Sequence, residues 1–309
     1  MTILTVTLNP AFDLHGRLAH FAPEQENYVS EMIREAGGKG INTARALAVN
    51  GERTTAFMVL GNENAAPFEM LLQKDGLRAR CVYVRGAVRE NITLHPADAP
   101  ETRISLDTFA ITPDALAELE AMMQPELRPG MWVAFGGRLP RGVTAQAVIG
   151  WLCRMVESGV QLAVDSNSFT AAQLQQIHPT LIKPNAAELN ALCPEQPDNP
   201  VVQARQLVKC GAAKSVLASL GAKGLWYTTA DGCLHAAAPA VAQPISTIGA
   251  GDSALAGYLA AAAHGATDED RVRAAAAWGT AACKTPGTRP PRFADIQALL
   301  PQVAITHIK

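Results

Sequence analysis

The chain is predicted to fold as an α/β domain, and three observations carry that expectation. Strand-like apolar runs alternate with helix-like runs along much of its length. Several of the strands end in glycine-rich or polar loops, the place where open α/β sheets hold their ligands. One hairpin stands outside the alternation, as a cover over such a site would. A length of 309 residues is enough for one large domain or two smaller ones. No repeat or low-complexity linker divides residues 1–309, so a single domain is expected.

Apolar residues make up 48% of the sequence, the formal charge is -2, and no long Lys/Arg run occurs. That balance argues against nucleic acid or an anionic membrane as the main partner and in favour of a small molecule. The start, Met1 to Leu8, has no basic segment and meets Asn9-Pro10 too soon for a signal peptide. It reads as a buried first strand. The longest apolar runs, near 254–263 and 274–283, are too short to span a bilayer, and a cytoplasmic location is expected. Six cysteines without a CxxC pair and seven histidines without an HxxxH pair predict neither disulfides nor a zinc site.

After the first strand, Asn9-Pro10-Ala11-Phe12-Asp13 reads as a turn, and the residues to about Ile33 as an exposed strand pair. Asp13 lies just past a strand end, where its carboxylate either holds ligand hydroxyls or makes the turn. Gly37-Gly38-Lys39-Gly40-Ile41-Asn42 then opens a helix. It lacks the spacer of a P-loop and the Ser or Thr after the lysine. Gly38 would let a ligand lie against the backbone, with Lys39 and Asn42 as donors; the alternative is a plain glycine cap with Lys39 in solvent. A strand at 54–60, a helix at 67–75 and a strand at 80–84 continue the pattern. The hairpin follows, with strands at 89–94 and 102–106. Segments near 13–33 and 86–108 together would make a small β lid. Arg89 and Asn91 share one face by the strand period of two, so both either reach one anion or face solvent.

Alternation resumes with a helix at 113–123, a strand at 131–135 and the loop Gly136-Gly137-Arg138-Leu139-Pro140. A helix at 144–158 and a strand at 160–164 lead to the polar cluster Asp165-Ser166-Asn167-Ser168. The strand at 180–182 runs into Lys183-Pro184-Asn185-Ala186-Ala187-Glu188. Asn185 and Glu188 share one face at a helix start, where they either organise the water shell of Mg²⁺ or form a capping box. The strand from 216 turns at Gly221 and Gly224 into a second strand that reaches 229, and Asp231-Gly232 turns that into a third. Such a unit suits cover for a nucleotide. Helices at 268–284 and 293–300 close the chain.

Everything else is arranged around Ser246-Thr247-Ile248-Gly249-Ala250-Gly251-Asp252 and the alanine-rich helix expected at 250–263. The first N–H groups of a helix lack intrahelical acceptors, and its dipole favours negative charge. Small residues at Gly249, Ala250 and Gly251 let an anion approach. Asp252, in the first turn, either accepts a proton from an attacking hydroxyl or merely complements the dipole.

Taken together, these segments resemble the PfkB branch of the ribokinase-like sugar kinases, most of all its phosphofructokinase and tagatose-6-phosphate kinase members. The resemblance covers nearly the whole chain. It rests on Asn9 to Asp13, Gly37 to Asn42, Gly137 to Pro140, Lys183-Pro184-Asn185 with Glu188, Ser219-Leu220-Gly221 with Gly224, and Thr247 to Asp252. It implies a ribokinase-like three-layer sandwich with a mostly parallel central sheet and a β lid that serves as a homodimer contact. It implies ATP- and Mg²⁺-dependent phosphorylation of a ketohexose phosphate, foremost fructose 1-phosphate to fructose 1,6-bisphosphate. Fructose 6-phosphate and tagatose 6-phosphate are the alternatives within that class, and a silent sensor of sugar phosphate or nucleotide is the alternative outside it. Carried onto this chain, Asp252 is the base and Gly249, Ala250 and Gly251 form the anion hole. Asp13, Gly38, Lys39 and Asn42 hold the sugar, and Arg89 and Asn91 the phosphate it already carries. Asn185 and Glu188 organise Mg²⁺, while Lys183, Ser219, Gly221 and Gly224 line the nucleotide site. One position departs: Arg138 stands where the phosphofructokinases usually have serine. It is expected either to add a donor fork to the phosphate pocket or to point outward.

Overall fold

The computed structural model describes residues 1–196 and 198–308. The chain opens with strands β1 (Ile3–Thr7), β2 (Ala11–Leu18) and β3 (Glu31–Gly37), then helix α1 (Lys39–Val49), β4 (Thr54–Gly61), α2 (Ala65–Lys74) and β5 (Ala79–Val84). Next come β6 (Arg89–Pro96), β7 (Thr102–Ser105), α3 (Pro113–Met123), β8 (Trp132–Gly136), α4 (Ala145–Glu157), β9 (Gln161–Asp165) and α5 (Ala171–Ile177). The remainder runs β10 (Leu181–Ile182), α6 (Ala186–Leu192), α7 (Pro200–Lys209), β11 (Ser215–Ser219), β12 (Leu225–Thr228) and β13 (Cys233–Ala236). It ends with α8 (Ala250–Ala263), α9 (Asp268–Ala282), α10 (Phe293–Leu299) and β14 (Ile305–Ile308).

Ten strands form the central sheet in the order β14-β13-β12-β11-β10-β9-β8-β1-β4-β5. From β11 to β5 every neighbour is parallel. The three strands beyond β11 are antiparallel. Parallel neighbours put the carboxyl ends of β1, β8, β9, β10 and β11 along one edge, and the candidate site gathers there. Side chains alternate between the faces. Leu4, Val6, Phe57, Val59 and Val133 pack with α3 to α7, whereas Ile3, Trp132 and Ala134 face the layer of α1, α8, α9 and α10. Strands buried on both faces explain the near-continuous apolar runs at 3–8 and 54–60. The three-layer α/β expectation is met.

Helix α8 packs on α9 closely enough that a Cβ at Gly257 would stand 2.6 Å from Trp278 Cγ. Alanine and glycine on the facing surfaces permit that approach and fix the N-terminus of α8 against the sheet. Among the described residues no helix is long and apolar enough to cross a membrane, and all six cysteines are free.

The lid is a separate four-stranded sheet, β3-β2-β6-β7. Its composition corrects the sequence reading of 9–33. The turn is shorter than expected, and Asp13 lies within β2. That strand is mostly buried, since it pairs on both sides, antiparallel with β3 and parallel with β6. Asp13 is thereby set opposite Asn91. Helices α5 and α7 and strand β14 went unread in the sequence. Helix α7 had carried a start signal in Asn199-Pro200, with the Asn199 side chain capping Val202 N.

Candidate active site

Gly249 precedes α8 with φ of 77°, a left-handed conformation that glycine adopts without the Cβ penalty. No side chain caps this helix end; Ala250 N donates to Thr247 O at 3.4 Å, and the N–H groups of Gly251 and Asp252 have no intrahelical acceptor and can meet an anion. Asp252 stands in the first turn and is buried. From α1, Asn42 Nδ2 donates to Asp252 Oδ2 over 2.8 Å. Burial, reinforced by the nearby Asp165 carboxylate, pushes the Asp252 carboxyl up to about 6 against the opposing pull of Asn42, Lys183 and Lys39. A carboxylate that titrates there is ionised at neutral pH and still basic enough to take a proton.

Behind it, Asp165 ends β9 with no exposed side-chain surface. Lys39 Nζ lies 2.6 Å from its Oδ1, and Lys183 Nζ 2.9 Å from its Oδ2. Burial alone would raise the Asp165 carboxyl, but the two ammonium groups hold it below the usual carboxylate range. Lys39 also reaches Glu188 Oε1 at 3.2 Å. Burial disfavours its charge too, yet Asp165 and Glu188 keep its proton held above the usual lysine range. Removing one member of such a buried network leaves an uncompensated charge, a loss of roughly 3–5 kcal/mol. The sequence had shown Asp165 only as part of a polar cluster at a strand end. Its two lysine partners come from residues 126 and 18 positions away in the chain.

Lys183 Nζ lies 3.2 Å from the point a Cβ on Gly251 would occupy, which places this cation beside the small-residue turn. Gly251 and Ala250 also line a cavity of about 640 Å³ together with Asn185, Ser219, Gly221 and Gly224. That volume lies within the range of small-molecule sites. Apolar residues such as Leu225, Ala254 and Ala276 supply much of the remaining wall. Three of the residues expected to meet a nucleotide, Ser219, Gly221 and Gly224, thus line a cavity at the end of α8 that carries Asp252, and the fourth, Lys183, lies beside Gly251. Asn185 and Glu188 form a reciprocal capping box, Asn185 Oδ1 accepting from Glu188 N and Glu188 Oε2 accepting from Asn185 N, both at 2.9 Å. The cap alternative is therefore realised, and Asn185 lines the cavity as well.

On the lid side, Asn91 Nδ2 donates to Asp13 Oδ1 at 2.7 Å, and Arg89 Nη1 donates to Asn91 Oδ1 at 2.6 Å. Arg89 Nε donates to Asn9 Oδ1 at 2.7 Å, a partner the sequence had not marked. The carboxylate of Asp13 lies against Gly37, the residue before Gly38. Arg138 is half exposed and pairs with Asp107, another residue that had carried no signal. Its charge is felt at Arg89, together with that of Arg103. Arg89 thus lies within electrostatic reach of two further guanidinium groups, and Arg138 is held by Asp107.

A lidded α/β sandwich whose strand ends present a buried carboxylate at an open helix N-terminus, beside a nucleotide-sized cavity, has the architecture of a phosphotransferase. The profile of the pfkB family carbohydrate kinases matches residues 7–294, and the chain belongs to that family. It is similar to the 1-phosphofructokinase of Haemophilus influenzae, 29% identical over 100% of this chain and 99% of that protein. It is 31% identical to the ATP-dependent 6-phosphofructokinase isozyme 2 of Escherichia coli over 93% of this chain and 94% of that protein. Among solved structures, phosphofructokinase-2 from Escherichia coli in complex with substrates and products superposes with a TM-score of 0.90 at 29% identity, covering 98% of this chain and 99% of that one. The protein is thus a carbohydrate kinase, and membership of this family carries ATP use with it.

Proposed function

We propose that the protein transfers the γ-phosphoryl group of ATP to fructose 1-phosphate, giving fructose 1,6-bisphosphate and ADP. The observation that carries this reading is Asp252, buried in the first turn of α8 at a helix end without a side-chain cap, its carboxyl pushed up to about 6 by that burial. Asp252 accepts the proton of the sugar's free primary hydroxyl as that oxygen attacks the γ-phosphorus. The N–H groups around Gly249, Ala250 and Gly251, with Lys183 beside them, meet the charge that develops on the transferring group. Lys39, Asn42, Gly38 and Asp13 position the sugar, and Arg89 with Asn91 holds the phosphate it already bears. Ser219, Gly221 and Gly224 line the place of the nucleotide.

Mg²⁺ fits through its water shell, because both oxygens of Glu188 already serve the cap or Lys39 while Asn185 opens onto the cavity. When bound, it neutralises charge on the phosphates. Fructose 6-phosphate is the second reading, favoured by the TM-score of 0.89 to Escherichia coli phosphofructokinase-2 in complex with fructose-6-phosphate. Tyr28, Met32, Ile104 and Leu106 expose apolar surface on or beside the lid strands, which supports a homodimer through the lid. A cytoplasmic location accords with ATP as co-substrate. An ADP-release assay against a panel of ketohexose phosphates tests the reading: fructose 1-phosphate should give the highest kcat/KM, and a chain that releases no ADP with any of them refutes it.

A further inference from the structure

A second cavity, of about 710 Å³, lies between β3 of the lid, the α1–α2 layer and the 284–292 segment. Six cationic side chains line it: Arg34, Arg45, Lys74, Lys284, Arg289 and Arg292. Four carboxylates offset them, since Arg34 pairs with Glu90, Arg45 with Asp75, Arg289 with Glu35, and Asp295 is shared by Lys284 and Arg292. Lys74 has no ion-pair partner among the described residues, and the excess of charge is positive. Glu35 and Asp75 also line the wall, but a concave surface with a net positive excess still focuses the field and concentrates small anions. Guanidinium groups that are already oriented by carboxylates present donor forks suited to phosphate.

The buried wall of this cavity leads to the catalytic carboxylate. Arg45 is almost fully buried; its Nη1 donates to Asn42 Oδ1 at 3.3 Å, and Asn42 in turn donates to Asp252. A second route runs through the 285–289 loop. Glu35 accepts from Thr288 N at 3.0 Å and from Thr288 Oγ1 at 2.8 Å, while Thr288 packs on Gly249, 3.5 Å from the point where a Cβ would stand. An anion that drew Arg289 from Glu35, or Arg45 from Asp75, would act on the two residues that set the start of α8.

We propose that this cavity is a second phosphate-binding site, taking a small phosphorylated molecule with at least two negative charges, and that its occupancy is communicated to Asp252 through Arg45 and Asn42. The binding half stands independently of the catalytic reading, whereas the communication rests on Asp252 as the base.

Calorimetric titration with pyrophosphate tests it, at fixed free Mg²⁺ and with the active site filled by fructose 1-phosphate and a non-hydrolysable ATP analogue. The full-length wild type should bind one further equivalent. A Lys74→Gln, Arg292→Gln double variant should bind it about tenfold or more weakly, with the same melting temperature and the same kcat in the absence of pyrophosphate. AMP in place of pyrophosphate distinguishes a nucleotide, bound more tightly, from the phosphate group alone, bound equally. Absence of the further equivalent, or unchanged binding by the double variant, overturns the site. Pyrophosphate should also change kcat at saturating substrates in the wild type and not in the double variant; binding with no change in kcat overturns the communication.

Discussion

Asn42 and Asp252, 210 positions apart in the chain, are joined side chain to side chain over 2.8 Å, which ties the start of the lysine-bearing helix to the start of the alanine-rich one. The bond favours the ionised carboxylate, while burial disfavours it more strongly and lifts the group to about 6. The folded value thus exceeds the ordinary 3.8, so ionisation costs stability. The cost is absent below pH 3.8, grows from there to about 6, and is complete above. Asp252→Asn should therefore raise the melting temperature at pH 8, with the difference vanishing near pH 4. Thermal unfolding at the two pH values checks it, and a less stable variant at pH 8 would refute the assignment of burial as the dominant cause.

The same carboxylate should shape the rate. A base that titrates near 6 gives kcat/KM an acid limb centred there, activity falling as Asp252 is protonated. Asn42→Ala removes a hydrogen bond to the charged form and should move that limb to higher pH. A full pH–rate profile for both enzymes decides the matter.

Arg89 and Arg138 should separate in their effects on the sugar phosphate. Arg89 is hydrogen-bonded to both Asn9 and Asn91 and partly buried, so Arg89→Ala should raise KM by roughly tenfold or more, the loss of a charge-assisted contact. Arg138 is half exposed and already paired with Asp107. Arg138→Ala should change KM by less than about threefold, as expected for a solvated pair. Steady-state kinetics on the two single variants compares them directly.

Glu188→Gln probes the metal and the cap together. The helix-start hydrogen bond survives in glutamine, but the charge facing Lys39 is lost. The variant should stay folded and need more Mg²⁺ for half-maximal rate; an unchanged metal requirement would leave Glu188 with the cap alone.

Much of this arrangement was legible because it is local. Gly249 to Asp252 reads as a helix start from composition, Asn185 and Glu188 as a capping pair from spacing, and Arg89 with Asn91 as one strand face from period. What could not be read was pairing across the sheet. Asp165 shows only as a polar residue at a strand end until the parallel order β9-β10 brings Lys183 alongside, and α1 brings Lys39. Asp13 reads as a turn residue because its strand begins directly after Asn9-Pro10, a turn signal that masks the strand start at Ala11. Asp107 gave no sign of holding Arg138, for nothing in an isolated acidic residue names its partner.

The most direct test of the central claim sets the wild type beside Asp252→Asn with ATP, Mg²⁺ and fructose 1-phosphate, following ADP release and identifying the sugar product by phosphorus NMR. The wild type should form fructose 1,6-bisphosphate, and the variant should bind ATP with unchanged affinity yet turn over roughly a hundredfold to ten-thousandfold more slowly. Near wild-type turnover by Asp252→Asn, or no bisphosphate from the wild type, would contradict it.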